Sequence, residues 1–313
     1  MMQKNTGSLL AEVQQAVNSI IKGKEEIVQK VLAAIIGGGH ILMEDIPGVG
    51  KTTLATTFAR VLSLDYRRVQ FTPDVLPSDL LGFSMYHSQK GAFEFQKGSV
   101  FCNLLLADEI NRTSPKTQSA LLEVMEERQV SIEGETRGLP DPFIVIATEN
   151  PAGSSGTQLL PESQLDRFLV CLSMGYPKHE DAVALLKGEV WNRLSDISAV
   201  LSLEELKTVQ TQTEAIFVED SIYEYIVNLV EETRDNPLFA LGASPRGGIA
   251  LLRMSRAMAM LAGRDFVTAK DVQSVLCDVL CHRVRLSARS RAEGVTVTAA
   301  VSRLAETVRC PKL

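Results

Sequence analysis

The sequence predicts an α/β fold: a parallel sheet of five strands covered on both faces, followed by a smaller all-helical part. Five short apolar runs, at 40–44, 67–71, 104–107, 143–148 and 168–172, alternate with helical or loop segments. A run that is apolar at nearly every position suits a strand buried on both faces, as in a helix-covered parallel sheet. From Pro177 the apolar runs give way to helical periodicity, which places a boundary near 175–178. The expected division is therefore 1–176 and 177–313.

Residues 8–36 carry a helical pattern split by "IIKGKEE", where Gly23 interrupts it. The first strand runs into "EDIPGVGKTT", after which Leu54, Phe58, Val61 and Leu62 recur at helical spacing. The second strand is "RRVQF", and a short helix starts near "PSDLLG". "GAFEFQKG" (91–98), with Phe93 and Phe95 alternating, reads as a small hairpin inside an insert of about 74–99. "LLLADE" supplies the third strand, and "RQVSIEGETRGLP" (128–140) a second hairpin turning at Glu133-Gly134. "FIVIAT" and "FLVCL" complete the sheet, and helical patterns fill 179–308.

The first turn carries chemistry. Gly48 and Gly50 let successive N–H groups converge on one anion at the positive end of a new helix. Lys51 is placed to reach the β- and γ-phosphates of a nucleotide, with Thr52 as a Mg²⁺ ligand. Asp45 occupies the first glycine position of the G-x-x-x-x-G-K-[ST] pattern, and Pro47 to Thr52 still closes the loop. Asp108 and Glu109 end the third strand about sixty residues on, one suited to the Mg²⁺ shell and the other to polarising an attacking water. The Asp-Glu strand end alone is a weak signal, usually just a strand meeting solvent. Together the two motifs read as a nucleoside-triphosphate site. Asn150, in "ATENP", ends the fourth strand, where an amide can position the lytic water or simply make an Asn-Pro turn. Arg167 precedes the fifth strand, a place where arginine usually meets solvent. In "GASPRGG", Ser244 caps a helix with Pro245 at its first position, which puts Arg246 in a first turn that disfavours a cation. That broken rule suggests an anion within reach, with a solvated surface arginine as the alternative.

Composition bounds the partners. The chain has 313 residues, 45% hydrophobic and 22% charged, and a net charge of 32 − 38 = −6, which argues against nucleic acid or an acidic membrane as the main partner. "MMQKNTGSLLAEVQQAVNSII" is amphipathic rather than a signal-peptide core, and the apolar stretch Val31–Met43 is too short and too broken to span a bilayer. Five cysteines, an odd count, fit free thiols in a reducing cytoplasm. Cys277, Cys281 and His282 read as helix core rather than a metal clip. The arginines of "HRVRLSARSR" (282–291) lack the stacking aromatics of a nucleic-acid strip and read as solvated or subunit-facing.

With these residues in place, the chain resembles an AAA+ ATPase of the MoxR family. The resemblance rests on "EDIPGVGKTTLA", "VQFTPDVLPSDLLG", "LLLADEINRTSPKTQSALLE", "VIATENPAGSSGT", "LLPESQLDRFLV" and "GASPRGGIALLRMSRA". It implies a sheet in the order 5-1-4-3-2, a helical lid, and a ring that is usually hexameric. It implies nucleotide contacts from Pro47, Gly48, Val49, Gly50, Lys51, Thr52 and Thr53, with Ile21 and Gly23 cupping the adenine. It assigns Mg²⁺ to Thr52 and Asp108, water activation to Glu109, the sensor roles to Asn150 and Arg246, and the arginine finger to Arg167. Arg112 is a second candidate for reaching a neighbour. The implied function is ATP hydrolysis coupled to chaperone-like remodelling, assembly or cofactor insertion of a protein client. A nucleic-acid-dependent motor and an ATP-gated scaffold without turnover are the alternatives.

Overall fold

The computed structural model describes residues 6–46, 48–149, 160–187 and 197–311. Pro47 and Asn150, both expected at the nucleotide, lie outside the described residues. A five-stranded parallel sheet organises the first part: β1 (Ile41–Glu44), β2 (Tyr66–Gln70), β5 (Leu104–Asp108), β8 (Ile144–Glu149) and β9 (Val170–Leu172). They lie in the spatial order β2-β5-β8-β1-β9, which is the expected 5-1-4-3-2 order when the five are counted alone. Register is continuous, with Ile41 beside Ile146 and Val170, and Leu106 beside Ile146.

The strands divide their side chains between two cores by simple alternation. Ile41, Met43, Leu104, Leu106, Ile144 and Ile146 join a core with helices α1 (Thr6–Ile20), α2 (Glu25–Ile36) and α3 (Lys51–Val61). Leu42, Leu105, Ala107, Val145 and Ala147 turn the other way, toward Leu121 and Leu122 of α5 (Pro115–Glu127). Apolar residues are needed on both faces, which is why these strands read as unbroken apolar runs.

Two hairpins project from the sheet. The first begins after α4 (Pro77–Leu81) and pairs β3 (Gly82–His87) with β4 (Ala92–Lys97). The hairpin expected within 91–98 is a single strand, β4, and its partner is the upstream strand β3. That upstream strand, "GFSMYH", carries exposed Phe83, Met85 and Tyr86 and so lacks a clean in–out alternation. The second hairpin, β6 (Gln129–Ile132) with β7 (Glu135–Gly138), lies where expected.

Beyond a short helix α6 (Glu162–Leu165) and β9, the chain continues in α7 (His179–Leu186), α8 (Leu203–Glu214), α9 (Asp220–Asp235), α10 (Pro245–Leu261), α11 (Ala269–Leu280), α12 (Ala288–Ala292) and α13 (Val297–Thr307). Strands do not stop altogether: Phe239–Leu241 pairs antiparallel with Arg285–Leu286. Ser202 and Glu205 form a reciprocal capping box on α8, and Thr268 and Asp271 form another on α11. Among the described residues no helix is long and apolar enough to cross a membrane.

The expectation for "HRVRLSARSR" is corrected at one residue. Arg283 is buried, with 2% of its side chain exposed, and pairs with Asp166 of the sheet part at 2.9 Å. It also donates to the backbone oxygens of Asp166, Phe168, Leu169 and Val279. Burial pushes its pKa down to about 10, against the opposing pull of Asp166. Arg285 and Arg289 remain at the surface, paired with Glu162 and Glu293.

Candidate functional site

The C-terminal edge of the sheet gathers the phosphate-loop lysine and four carboxylates. Gly48 and Gly50 take left-handed φ of 86° and 100°, a conformation costly for any residue with a Cβ. A Cβ at Gly48 would meet nothing within 4 Å, so the loop borders open space. Lys51 opens α3 yet is buried, and its Nζ donates to the backbone oxygen of Asp45 at 2.8 Å. Burial lowers the Lys51 pKa, while Asp45, Asp108, Glu109 and Glu149 all pull it back up. Those four opposing charges place the ends of β1, β5 and β8 around one ammonium group.

The two acidic residues at the end of β5 are held by Thr148, which is fully buried. Its hydroxyl donates to Asp108 Oδ1 at 2.6 Å and accepts from the Glu109 amide at 2.8 Å. Glu109 sits at φ 59°, left-handed for a residue with a side chain, the kind of local strain that collects at functional sites. From β2, Arg68 donates to Asp108 Oδ2 at 2.7 Å and Gln70 donates to Glu109 Oε2 at 2.9 Å. Arg112 pairs with Glu109 of its own chain at 3.1 Å. Asp108 ends β5 and Thr52 stands in the first turn of α3, and a carboxylate with a hydroxyl is a hard-oxygen donor set of the type Mg²⁺ takes, so their chemistry fits the metal.

A second charged cluster lies at the opposite edge. Glu126, near the end of α5, pairs with Arg167 at 3.3 Å and also with Arg246. Arg167 further donates to the backbone oxygen of Leu122. A cavity of about 250 Å³ here is lined by Gly39, His40, Glu126, Arg167, Arg246 and Arg253, among others. Gly39 and His40 precede β1, so the cavity lies at the N-terminal edge of the sheet. A five-residue strand separates the two edges by roughly 16 Å. His40 is buried here: the Val145 amide donates to its Nδ1 at 3.0 Å, leaving Nε2 to donate to the Met125 oxygen at 2.9 Å.

Residues 40–170 match the family described as ATPase family associated with various cellular activities, and residues 231–304 match the AAA lid domain. The uncharacterised protein YeaC of Bacillus subtilis is 43% identical over 99% of this chain and 97% of its own length. Chaperone MoxR1 of Mycobacterium tuberculosis is 38% identical over 95% of this chain and 81% of its own length. The chain belongs to the MoxR family of AAA+ ATPases. A crystal structure of a candidate ATPase from Cytophaga hutchinsonii superimposes on this MoxR-family chain with a TM-score of 0.89, at 36% identity, over 98% of this chain and 96% of that one.

Within this MoxR-family fold, Gly48, Val49, Gly50, Lys51, Thr52 and Thr53 share one end with Asp108 and Glu109. Gly23 turns with φ 67° beside α7, and Ile21 is buried close to it. Arg167 and Arg246 are not part of that cluster and sit together at the other end. Sequence reasoning gave no role to Arg68, Gln70, Glu126 and Thr148. The spacing Arg68-x-Gln70 at the end of β2 was a readable signal, because residues two apart share a strand face.

Proposed function

We propose that this protein hydrolyses ATP, with Mg²⁺, at sites completed between neighbouring copies in a ring, and couples turnover to chaperone-like remodelling of a protein client in the cytoplasm. One observation carries the reading: a single sheet bears one end with Lys51, Asp108 and Glu109, and a cationic end with Arg167 and Arg246 roughly 16 Å away. At that distance both arginines lie away from their own chain's Lys51 end, which supports service to a neighbour's nucleotide.

In this reading residues 1–176 bind nucleotide and 177–313 form the lid. Gly48–Thr53 hold the phosphates, Thr52 and Asp108 hold the metal, which supplies charge neutralisation for the phosphates, and Ile21 and Gly23 cup the base. Glu109 takes a proton from the attacking water, released from Gln70 and Arg112 as the site fills. Asn150 orients that water. Arg167 and Arg246 leave Glu126 to meet charge on a neighbour's γ-phosphate, and six copies close the ring. The relative named Chaperone MoxR1 supports the client half.

Glu109→Gln tests the enzymatic half. The amide keeps the size of the side chain and loses the base, so ATP binding by calorimetry should persist while phosphate release stops. Hydrolysis at the parental rate would remove Glu109 from the reaction.

A further inference from the structure

Asp45 departs from the phosphate-loop pattern, and its contacts show what a carboxylate does where glycine is usual. It is buried, with 4% of its surface exposed. Its Oδ1 accepts from Ser173 Oγ at 2.8 Å and from the Gly175 amide at 3.0 Å, and its Oδ2 accepts from the Met174 amide at 2.6 Å. Its backbone oxygen accepts from Lys51 Nζ. One residue therefore joins the phosphate-sensing lysine to the segment 173–176 that leaves β9 for α7.

The same segment is held from its other side. Lys24, just past the turn at Gly23, donates to the backbone oxygen of Met174 and, at 2.8 Å, to that of Tyr176. A Cβ on Gly23 would fall 2.0 Å from the Asp181 carboxylate, so this turn also abuts α7 directly. Amides of the strap are tied to the phosphate loop, and carbonyls of the strap are tied to the base-side turn.

We propose that Asp45 is a positioning residue that makes the strap 173–176 report nucleotide occupancy to the helices beyond it. The inference rests on the ATP site proposed above. When Lys51 turns to a triphosphate, it gives up the Asp45 carbonyl, and the carboxylate carries the adjustment to Met174 and Gly175. The carboxylate also faces the phosphates' own negative charge. Removing it should leave ATP affinity unchanged or raised while breaking the link.

The test is hydrogen–deuterium exchange across 173–186 with and without Mg-ATP, in full-length Glu109→Gln protein so that nucleotide is not consumed. The Met174 and Gly175 amides are themselves the donors, so their exchange reads the clamp. The parent should show a nucleotide-dependent change in this segment. Adding Asp45→Gly, which restores the usual loop residue, should abolish that change while ATP binding persists. In the Glu109-intact chain, Asp45→Gly should lower kcat on the order of tenfold to a hundredfold with KM steady or lower. Ser173→Ala and Lys24→Met, which leave the loop sequence intact, should each reduce the exchange response and decide the matter if Asp45→Gly does not fold. An unchanged response in the variants, or none in an ATP-binding parent, overturns the inference. A parent that binds no ATP overturns the ATP-site reading, and the inference falls with it.

Discussion

Glu149→Gln isolates an acidic cost built into the C-terminal edge of the sheet. Glu149 ends β8 in direct register with Glu44 of β1. Burial pushes its pKa from 4.5 up to about 7, with repulsion from Glu44 adding and Lys51 opposing. The folded chain thus holds this proton up to about pH 7, whereas the unfolded chain releases it near 4.5. Between those values the folded state binds more protons, so stability falls as pH rises. A gap of about 2.5 units corresponds to roughly 3 kcal/mol lost by pH 8. Glutamine does not ionise. The variant should match the parent at pH 5 and exceed it at pH 8, by roughly 6–12 °C in thermal midpoint at about 2–4 °C per kcal/mol. The assay is nucleotide-free thermal unfolding of both proteins at the two pH values. An equal offset at both, or a less stable variant at pH 8, refutes the reasoning.

Two further outcomes concern the opposite edge. Arg283→Met leaves Asp166 without its charged partner and several backbone oxygens without a donor, so it should cost on the order of 3–5 kcal/mol in urea unfolding. Arg283→Lys should recover only part of this, because one ammonium cannot replace the planar fork. Burial holds the His40 pKa down to about 4, so protonation of the unfolded chain below about pH 6.5 destabilises the fold progressively until about pH 4. The stability advantage of the parent over His40→Gln should shrink across that window, by on the order of 3 kcal/mol in total, and a pH-independent difference would contradict it.

The inner strands of the sheet were legible because they are buried on both faces and therefore apolar nearly throughout, as "LLLAD" and "FIVIAT" show. The strand Gly82–His87 was not, since its aromatics face outward and no burial shapes its pattern. The cation in the first turn of α10 was recognised as anomalous, and its partner proved to be Glu126, 120 residues away in sequence. Arg283 was misread for the same reason. In "HRVRLSARSR" nothing local marks which arginine turns inward, and its partner Asp166 lies 117 residues back. The motif identified Lys51, Asp108 and Glu109 as one cluster. Which edge of the sheet Arg246 occupies depended on how α10 packs, and no spacing in the chain encodes that.

The most direct test of a site shared between copies is complementation between two inactive variants. Lys51→Ala removes the ammonium proposed to meet the phosphates and keeps Arg167, while Arg167→Ala keeps the Lys51 end. A guanidinium supplied from a neighbour can be worth on the order of 10³–10⁵ in rate, so each variant alone should be nearly inactive. Mixed at fixed total protein and shown by sizing to co-assemble, they should regain part of the parental phosphate release. Such a mixture contains interfaces that pair an intact Lys51 end with an intact Arg167. Release equal only to the sum of the separate rates, in particles shown to contain both variants, would contradict the shared site and return Arg167 to a structural role beside Glu126.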